Sequence, residues 1–199
     1  MNKLGDWISG KSQTPFYARR EFNIEKNLHS AVAYVCGLGQ FIFHINGQKV
    51  SDHELDPGWT NYDRKIQYVK FDVTELLHIG KNVMGAEVGN GWFLKEDEHY
   101  TFTFPAFMPP NPNPYKPFGN ELVLAVKLVL SYEDGSEESI YGDESFKVKT
   151  HPIKMSNVYG SETYDASLEL PGWDRAEFDD SDWENATVVA EEDAPSGEL

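Results

Sequence analysis

Short runs rich in Val, Ile, Phe and Tyr recur along this 199-residue chain, and Gly, Asn, Asp and Pro separate them. In residues 39–45, Phe41, Phe43 and Ile45 alternate with more polar neighbours, which is typical of a strand with one buried face. Long helical patterns are almost absent. The sequence therefore predicts an all-β fold, an antiparallel β-sandwich of the jelly-roll type with about ten short strands, and a barrel is the alternative.

The sequence contains one strong hairpin signal. Asn46-Gly47 follows the strand at 39–45, and both residues tolerate the positive φ that a two-residue hairpin turn requires. Residues 72–77 predict a capped helical turn that Gly80 closes. Residues 16–24, 31–37, 39–45, 64–71, 82–88, 122–132, 137–141 and 145–150 are the predicted strands.

Residues 95–119 interrupt the series of predicted strands with six prolines and interleaved aromatic residues. Proline does not lie in the interior of a sheet. Loops of this length are usually functional or disordered. Their aromatic content predicts that they pack against the sandwich or against a neighbouring protein.

The charge distribution excludes one class of partner. The formal net charge is -16, and residues 161–199 contain 13 acidic side chains and one base, Arg175. Such a field repels polyphosphates, so we expect no nucleic-acid binding. No stretch approaches the length of a membrane span, and residues 1–11 contain no apolar leader segment. We therefore expect a soluble, cytoplasmic protein without membrane contact.

The single cysteine, Cys36, permits neither an internal disulfide nor a multi-cysteine zinc site. It lies in an apolar run, which predicts a small buried side chain. The familiar sequence motifs of hydrolases, metalloproteases and nucleotide-binding proteins do not occur, and the six histidines have no ligand-like spacing. A pair of glycosidase carboxylates cannot be judged by counting, but a small sandwich rarely offers a deep cleft for one.

Two predicted loops, 56–63 and 89–93, combine aromatic side chains with amides and carboxylates. Aromatic faces pack on the C–H side of a pyranose, and Asn and Asp bind its hydroxyls. Hard oxygen ligands of this kind also suit Ca²⁺. The alternative is that both segments are structural corners.

These loops belong to a series of motifs that resembles the N-terminal domain of bacterial α-L-rhamnosidases, family 78 of the glycoside hydrolases. The matches follow one another from about residue 16 to 184 and are specific as a set. They are Phe41–Gly47, Leu55–Tyr62, Tyr68 with Phe71–Thr74, Gly80–Gly85 with Gly89–Trp92, Tyr132–Ser136, Asp143–Lys147, Ser161–Ala166, Pro171–Trp173 and Phe178–Trp183.

The resemblance implies a galactose-binding-like β-sandwich that precedes further β domains and a helical barrel with the catalytic carboxylates. The family hydrolyses terminal α-L-rhamnose with inversion. We therefore expect a non-catalytic fragment, inactive alone, with no catalytic residue of its own. The expected division is an N-terminal extension at 1–15, a sandwich at 16–190 with the insertion loop 95–119, and the start of a linker at 191–199. The expected partners are L-rhamnose-containing glycosides and the downstream catalytic domain.

Some relatives of the module bind rhamnose through Ca²⁺, and the equivalent loops would be 59–63 and 89–92. The resemblance makes calcium a candidate cofactor, although the family usually carries Asp at the position of Asn61. If the module binds sugar, the candidate residues are Trp59 and Trp92 for stacking, Asn61, Asp63 and Asn90 for hydroxyls or metal, and Glu162 as a further ligand. Trp173 and Trp183 are predicted core residues. The alternatives are a working carbohydrate-binding module and a protein-interaction sandwich that docks through the 95–119 loop.

Overall fold

The computed structural model describes residues 4–10, 14–94, 118–157, 161–191 and 193–199. Within these residues the chain is almost entirely strands and loops, with two single helical turns at Thr74–Leu76 and Ala166–Leu168. The strands in chain order are β1 (Ile8–Ser9), β2 (Phe16–Ile24), β3 (Leu28–Leu38), β4 (Gln40–Ile45), β5 (Gln48–Lys49), β6 (Val69–Asp72), β7 (Gly80–Gly89), β8 (Val123–Tyr132), β9 (Glu137–Tyr141), β10 (Lys147–Thr150), β11 (Ile153–Asn157), β12 (Ser161–Tyr164), β13 (Glu184–Asn185) and β14 (Thr187–Val188).

The strands form two six-stranded sheets. The first sheet has the order β14-β1-β8-β3-β6, with β9 also paired to β8, and the second has the order β13-β10-β2-β7-β4-β5. A separate hairpin, β11–β12, adds two strands. All pairings between named strands are antiparallel. The antiparallel sandwich predicted from the sequence is confirmed, and the barrel alternative is wrong because the sheets stay separate.

The main core lies between the two sheets and follows the alternation of each strand. Phe41, Phe43 and Ile45 of β4 point into it, as do Leu124 and Val126 of β8. The large apolar area buried here is the main favourable contribution to the sandwich. The burial of every second residue is the reason that the pattern at 39–45 could be interpreted correctly.

Each sheet also carries an aromatic cluster on its outer face. On the first sheet, buried Cys36 packs with Tyr62 and Phe93. On the second, Trp173 and Trp183 pack against Tyr17, which confirms their assignment as core residues. Both outer faces therefore depend on loops that come from distant parts of the chain.

One predicted strand is wrong over most of its length, because 64–71 is a strand only from Val69 onward. The backbone N–H groups of Arg64 and Lys65 bond to the carbonyl of Asn61, at 2.9 Å each. Ile66 N–H donates to the carbonyl of Glu198 at 2.8 Å. These donors are therefore used by a turn and by the C-terminal segment instead of a neighbouring strand.

The predicted division at 1–15, 16–190 and 191–199 stays a prediction. In the structure β1 pairs with β8 and β14, and Trp7 is buried. Residue Glu198 forms a bridge with Lys65. Both flanking segments therefore contact the sandwich.

The loop predicted at 95–119 lies outside the described residues except for Phe118 and Gly119. Both donate backbone N–H groups to the carbonyl of Phe93, at 3.2 and 3.1 Å. In the part of the chain that the structure describes, no helix is long and apolar enough to cross a membrane. The cytoplasmic location and the interaction role of the loop stay predictions.

Candidate functional site

The indole rings of Trp59 and Trp92 lie together at one corner of the sandwich, with centroids 5.8 Å apart. Trp59 is 65% exposed, whereas Trp92 is partly buried against the outer cluster of the first sheet. Tyr62 lies three residues after Trp59, and Phe93 directly follows Trp92. Both side chains are buried, and their rings pack edge-on with centroids 5.5 Å apart. The two sequence-predicted loops are therefore brought into contact, and Trp59 presents an aromatic face to solvent.

Asn61 and Asp63 follow Trp59 in the same turn, and both are exposed. The Oδ1 atom of Asn61 accepts the backbone N–H of Asp63 at 3.2 Å. This side-chain turn explains why a short polar residue suits position 61. It also directs the Asn61 oxygen toward its own backbone.

Asn90 faces a different neighbour. Its Oδ1 accepts the backbone N–H of Ser156 at 3.0 Å, and its own N–H donates to Ser156 Oγ at 3.3 Å. Ser156 in turn pairs with Glu162 in the β11–β12 hairpin. Asn90 and Glu162 are thus linked through this hairpin, and Glu162 is exposed.

The geometry does not by itself supply a calcium site. Ca²⁺ takes six to eight oxygen ligands, several of them carboxylates. Among the described residues, no group of three or more His, Cys, Asp or Glu side chains is placed to hold a metal ion. The Oδ1 atoms of Asn61 and Asn90 already accept backbone N–H groups. Calcium therefore stays a prediction of the resemblance.

A polar cluster that sequence reasoning missed lies on the outer face of the second sheet. Glu87 on β7 contacts His151 Nε2 through Oε2 at 2.6 Å and His44 Nε2 through Oε1 at 3.1 Å. His44 Nδ1 lies 2.8 Å from Asp174 Oδ2. Four residues separated by up to 130 positions meet here. Only the outward position of His44 in the alternation of β4 hinted at it.

Electrostatics fix the charges in this cluster. Burial alone would lower the pKa of His44, but hydrogen bonds to Asp174 and Glu87 outweigh it and raise the pKa to about 9. Burial would raise the pKa of Glu87, yet the hydrogen bonds from His151 and His44 lower it to about 2. The Nδ1 atom of His151 accepts the N–H of Ile153 at 2.9 Å, so its Nε2 carries the proton that is donated to Glu87. At neutral pH the His44 imidazolium therefore lies between two carboxylates.

Comparisons with family models, with curated proteins and with solved structures all identify one family. Residues 26–198 match the family model described as "Alpha-L-rhamnosidase N-terminal domain". An α-L-rhamnosidase of Formosa agariphila is 39% identical over 181 residues, which cover 88% of this chain and 18% of that protein.

Two solved structures agree with this match. An α-L-rhamnosidase from Dictyoglumus thermophilum has a TM-score of 0.81 and 30% identity, over 97% of this chain and 21% of that one. A Streptomyces avermitilis α-L-rhamnosidase complexed with L-rhamnose has a TM-score of 0.78 and 30% identity, over 92% of this chain and 16% of that one. The chain thus spans about a fifth of the length of the relatives that it matches.

Proposed function

This chain belongs to the α-L-rhamnosidase N-terminal domain family, and on that premise we propose that it is the sugar-contacting accessory sandwich of a longer enzyme that hydrolyses terminal α-L-rhamnosides. The downstream catalytic domain of the same polypeptide would be its partner. The family match and the small share of each relative support this role. Reaction and substrate are inferred from the names of those relatives.

The observation that carries sugar contact is the exposed indole of Trp59 beside Trp92. Trp59 is 65% exposed, so most of its side chain is not buried by the domain's own core. Its face can instead cover the C–H side of a deoxyhexose ring. A relative was solved in complex with L-rhamnose, which makes this sugar the first probe to test.

The surrounding polar residues would complete the contact. Asp63 is exposed on the same turn and has carboxylate oxygens that can accept sugar hydroxyls. The side-chain amides of Asn61 and Asn90 also contain N–H groups of the kind that donate to sugar hydroxyls. Glu162 would act from the β11–β12 hairpin. All four assignments are proposals.

Titration of L-rhamnose into ¹⁵N-labelled protein tests this role. The chain has five tryptophans, so each indole N–H signal can be assigned by substitution. We expect saturable shifts at Trp59 and Trp92, and a loss of affinity of about tenfold or more in Trp59→Ala, with partial recovery in Trp59→Phe.

Tyr141→Ala is the matched control, because Tyr141 is also a partly exposed aromatic residue and lies on β9. It should bind L-rhamnose like the parent protein. Repeating the titration with Ca²⁺ and with a chelator tests the calcium prediction separately. Indole signals that do not move at any millimolar sugar concentration, in folded protein, would contradict sugar contact at this corner.

We also propose that the chain alone does not hydrolyse rhamnosides. An inverting glycosidase needs two carboxyl groups about 6.5–9.5 Å apart across a cleft that holds the sugar and a water. At the Trp59 corner, Asp63 is the one candidate that carries a carboxylate in the 59–63 turn. Turnover of an aryl α-L-rhamnoside by the purified chain, at a rate that scales with its concentration, would refute this proposal.

A further inference from the structure

A cleft of about 470 Å³ opens between the outer face of the second sheet and the β11–β12 hairpin. Clefts of this size hold small ligands in many proteins. Neither indole of the aromatic corner lines this cleft, but Gly91 does, so the cleft adjoins the 89–93 loop without including Trp59 or Trp92. Its lining includes Gln40, Ile42, Leu55, Glu87, His151 and Glu162.

The charges of the cleft narrow the class of ligand. No Lys or Arg is among the described residues that line it, so an anion would find no counter-charge. Two of its three carboxylates are already paired, Glu54 with Lys49 at 2.7 Å and Glu87 with His44. Among the described residues that line the cleft, Glu162 is the one whose carboxylate has no ion-pair or hydrogen-bond partner in the described part of the chain. This balance favours an uncharged ligand over a strongly cationic one.

The walls provide two kinds of surface. Ile42, Leu55 and Ile153 supply apolar lining, and Glu87 and His151 supply polar lining. Ile42 and Glu87 are register partners on β4 and β7, so apolar and polar surface lie side by side. Each carboxylate oxygen can accept more than one hydrogen bond, so Glu87 can still accept from a ligand while it contacts both histidines. A ring with one C–H-rich side and several hydroxyl donors matches this arrangement.

Leu55 adds an independent observation. Its φ is 57°, a left-handed backbone conformation in which bulky residues are uncommon. Its side chain is nevertheless 65% exposed, so the core does not explain why leucine occupies this position. The loop instead holds an apolar side chain at the mouth of the cleft, where a ligand would cover it.

We infer that this cleft is a second saccharide site, which binds one uncharged sugar residue between Leu55, Ile42 and the carboxylates of Glu87 and Glu162. This inference rests on the proposed sugar-contacting function. It gives the domain two contacts on a glycan, one at the Trp59 corner and one against the second sheet.

The test is a backbone and indole NMR titration with L-rhamnose, read at two sets of signals. The amides of Gln40, Gly89 and Ile153 report on the cleft, and the indoles of Trp59 and Trp92 report on the corner. We expect both sets to shift and saturate. The variant Leu55→Ala should weaken the cleft shifts about tenfold or more and leave the corner shifts unchanged.

The control is the variant Ile79→Ala, which removes a similarly exposed apolar side chain outside the cleft. It should leave both sets of shifts unchanged. D-Glucuronate and D-glucosamine test the ligand class, and we expect both to shift the cleft amides less than L-rhamnose does. Stronger shifts with either charged sugar would overturn the inference that the ligand is uncharged.

The two proposals fail in different ways. Corner indoles that respond while the cleft amides stay still would overturn the second site and leave the proposed function intact. Signals that stay still in both sets would refute both. Cleft shifts that persist at full strength in Leu55→Ala would also overturn the second site, because the shifts would then arise elsewhere.

Discussion

At the scale of single residues, Cys36 shows how a buried position limits chemistry. Its side chain is fully buried, and burial raises the pKa of its thiol. The prediction that Cys36 is a small buried side chain is confirmed. We expect its thiol to react slowly in the folded state. The thiolate needed for oxidation or labelling forms only when the outer cluster of the first sheet opens.

We predict that Cys36→Ser lowers the free energy of unfolding by about 1–3 kcal/mol, because a hydroxyl would be buried without a partner. Cys36→Ala removes the sulfur without adding a polar group and should cost less. Urea unfolding monitored by tryptophan fluorescence measures both. A serine variant as stable as the parent would mean that water reaches this side chain, contrary to its burial in the structure.

Asn46 joins three elements through one side chain. Its Nδ2 donates to the carbonyl of Leu76 and to Oδ1 of Asn82, both at 2.8 Å. Its Oδ1 accepts the N–H of Val83, also at 2.8 Å. The turn residue of the predicted hairpin therefore also anchors the neighbouring strand β7.

We predict that Asn46→Ala costs about 2–4 kcal/mol, more than the loss of a turn residue alone. The backbone N–H of buried Val83 loses its acceptor, and Oδ1 of buried Asn82 loses one of its two donors. Asn46→Asp keeps the acceptor for Val83 and should cost less. Thermal unfolding of both variants measures the difference. Equal losses would show that the bond to Val83 contributes little.

At the scale of elements, two turns that contain glycine allow the cost of backbone conformation to be distinguished from the cost of steric contact. Gly47 has φ of 82° and Gly135 has φ of 81°. A Cβ on Gly47 would lie 2.9 Å from Arg175 Nε, whereas a Cβ on Gly135 would meet nothing within 4 Å. The two turns share one backbone conformation and differ in their surroundings.

We predict that Gly135→Ala costs about 1 kcal/mol from conformation alone. Gly47→Ala should cost at least as much, and the excess measures how readily the flexible Arg175 side chain moves away. Chemical denaturation of the two variants makes the comparison. A larger loss at Gly135 than at Gly47 would contradict it.

The segment from Asp165 to Trp183 is held on the second sheet by charge and by aromatic packing. Arg19 is buried and binds Asp180, and its guanidinium also donates to the carbonyl of Arg175 at 3.0 Å. Asp174 holds His44 at 2.8 Å. Trp173 packs where Gly85 leaves room, since a Cβ there would lie 2.5 Å from the indole.

The His44 cluster predicts a stability optimum in mildly acidic solution. The pKa of His44 is raised in the fold, so its contribution is complete below its unfolded pKa near 6.5 and is lost as the pH rises toward 9. The pKa of Glu87 is lowered, so its contribution is complete above 4.5 and is lost as the pH falls toward 2. Each contribution is on the order of 1–3 kcal/mol.

Urea unfolding between pH 4 and 9.5 checks this prediction. We expect His44→Gln to flatten the alkaline side of the profile and to reduce the acidic side only in part, because His151 still lowers the pKa of Glu87. His53→Gln is the matched control, because His53 is exposed and pairs with Asp56 at 2.9 Å on a surface loop. An alkaline slope that survives in His44→Gln would assign the effect to other groups.

At the scale of the whole molecule, the excess of negative charge acts on stability as well as on partners. The formal net charge is -16, and several of the ion pairs are exposed, such as Lys26–Asp134. Exposed pairs contribute little, so the net repulsion should dominate the response to salt. The domain is therefore expected to gain stability when its charges are screened.

We predict that moving from low salt to about 0.15 M NaCl raises the melting temperature by about 2–4 °C. Calorimetry at constant pH measures the change. Potassium chloride at the same ionic strength should give the same shift, because the effect is screening. A fall in melting temperature would mean that the specific ion pairs outweigh the general repulsion.

The candidate site was foreseen in part. The two loops that carry Trp59 and Trp92 could be selected from sequence because aromatic and amide side chains are concentrated there, and the fold brings the two rings together. Asn61 and Asn90 stay predicted binding residues, and their bonds to Asp63 and Ser156 were not predicted from the sequence. Such bonds depend on backbone geometry that no local pattern encodes.

The amino-acid sequence by itself determined the all-β class, the strands of the core and the Asn46-Gly47 turn, because alternation and turn propensity act over a few neighbouring residues. Only the tertiary structure decided that residues 64–68 leave the sheet and that His44, Glu87, His151 and Asp174 meet. The physical reason is the distance along the chain over which the interactions act. These contacts join residues far apart in the chain, and they form only after the two sheets have packed and brought their outer faces within reach of the C-terminal loops.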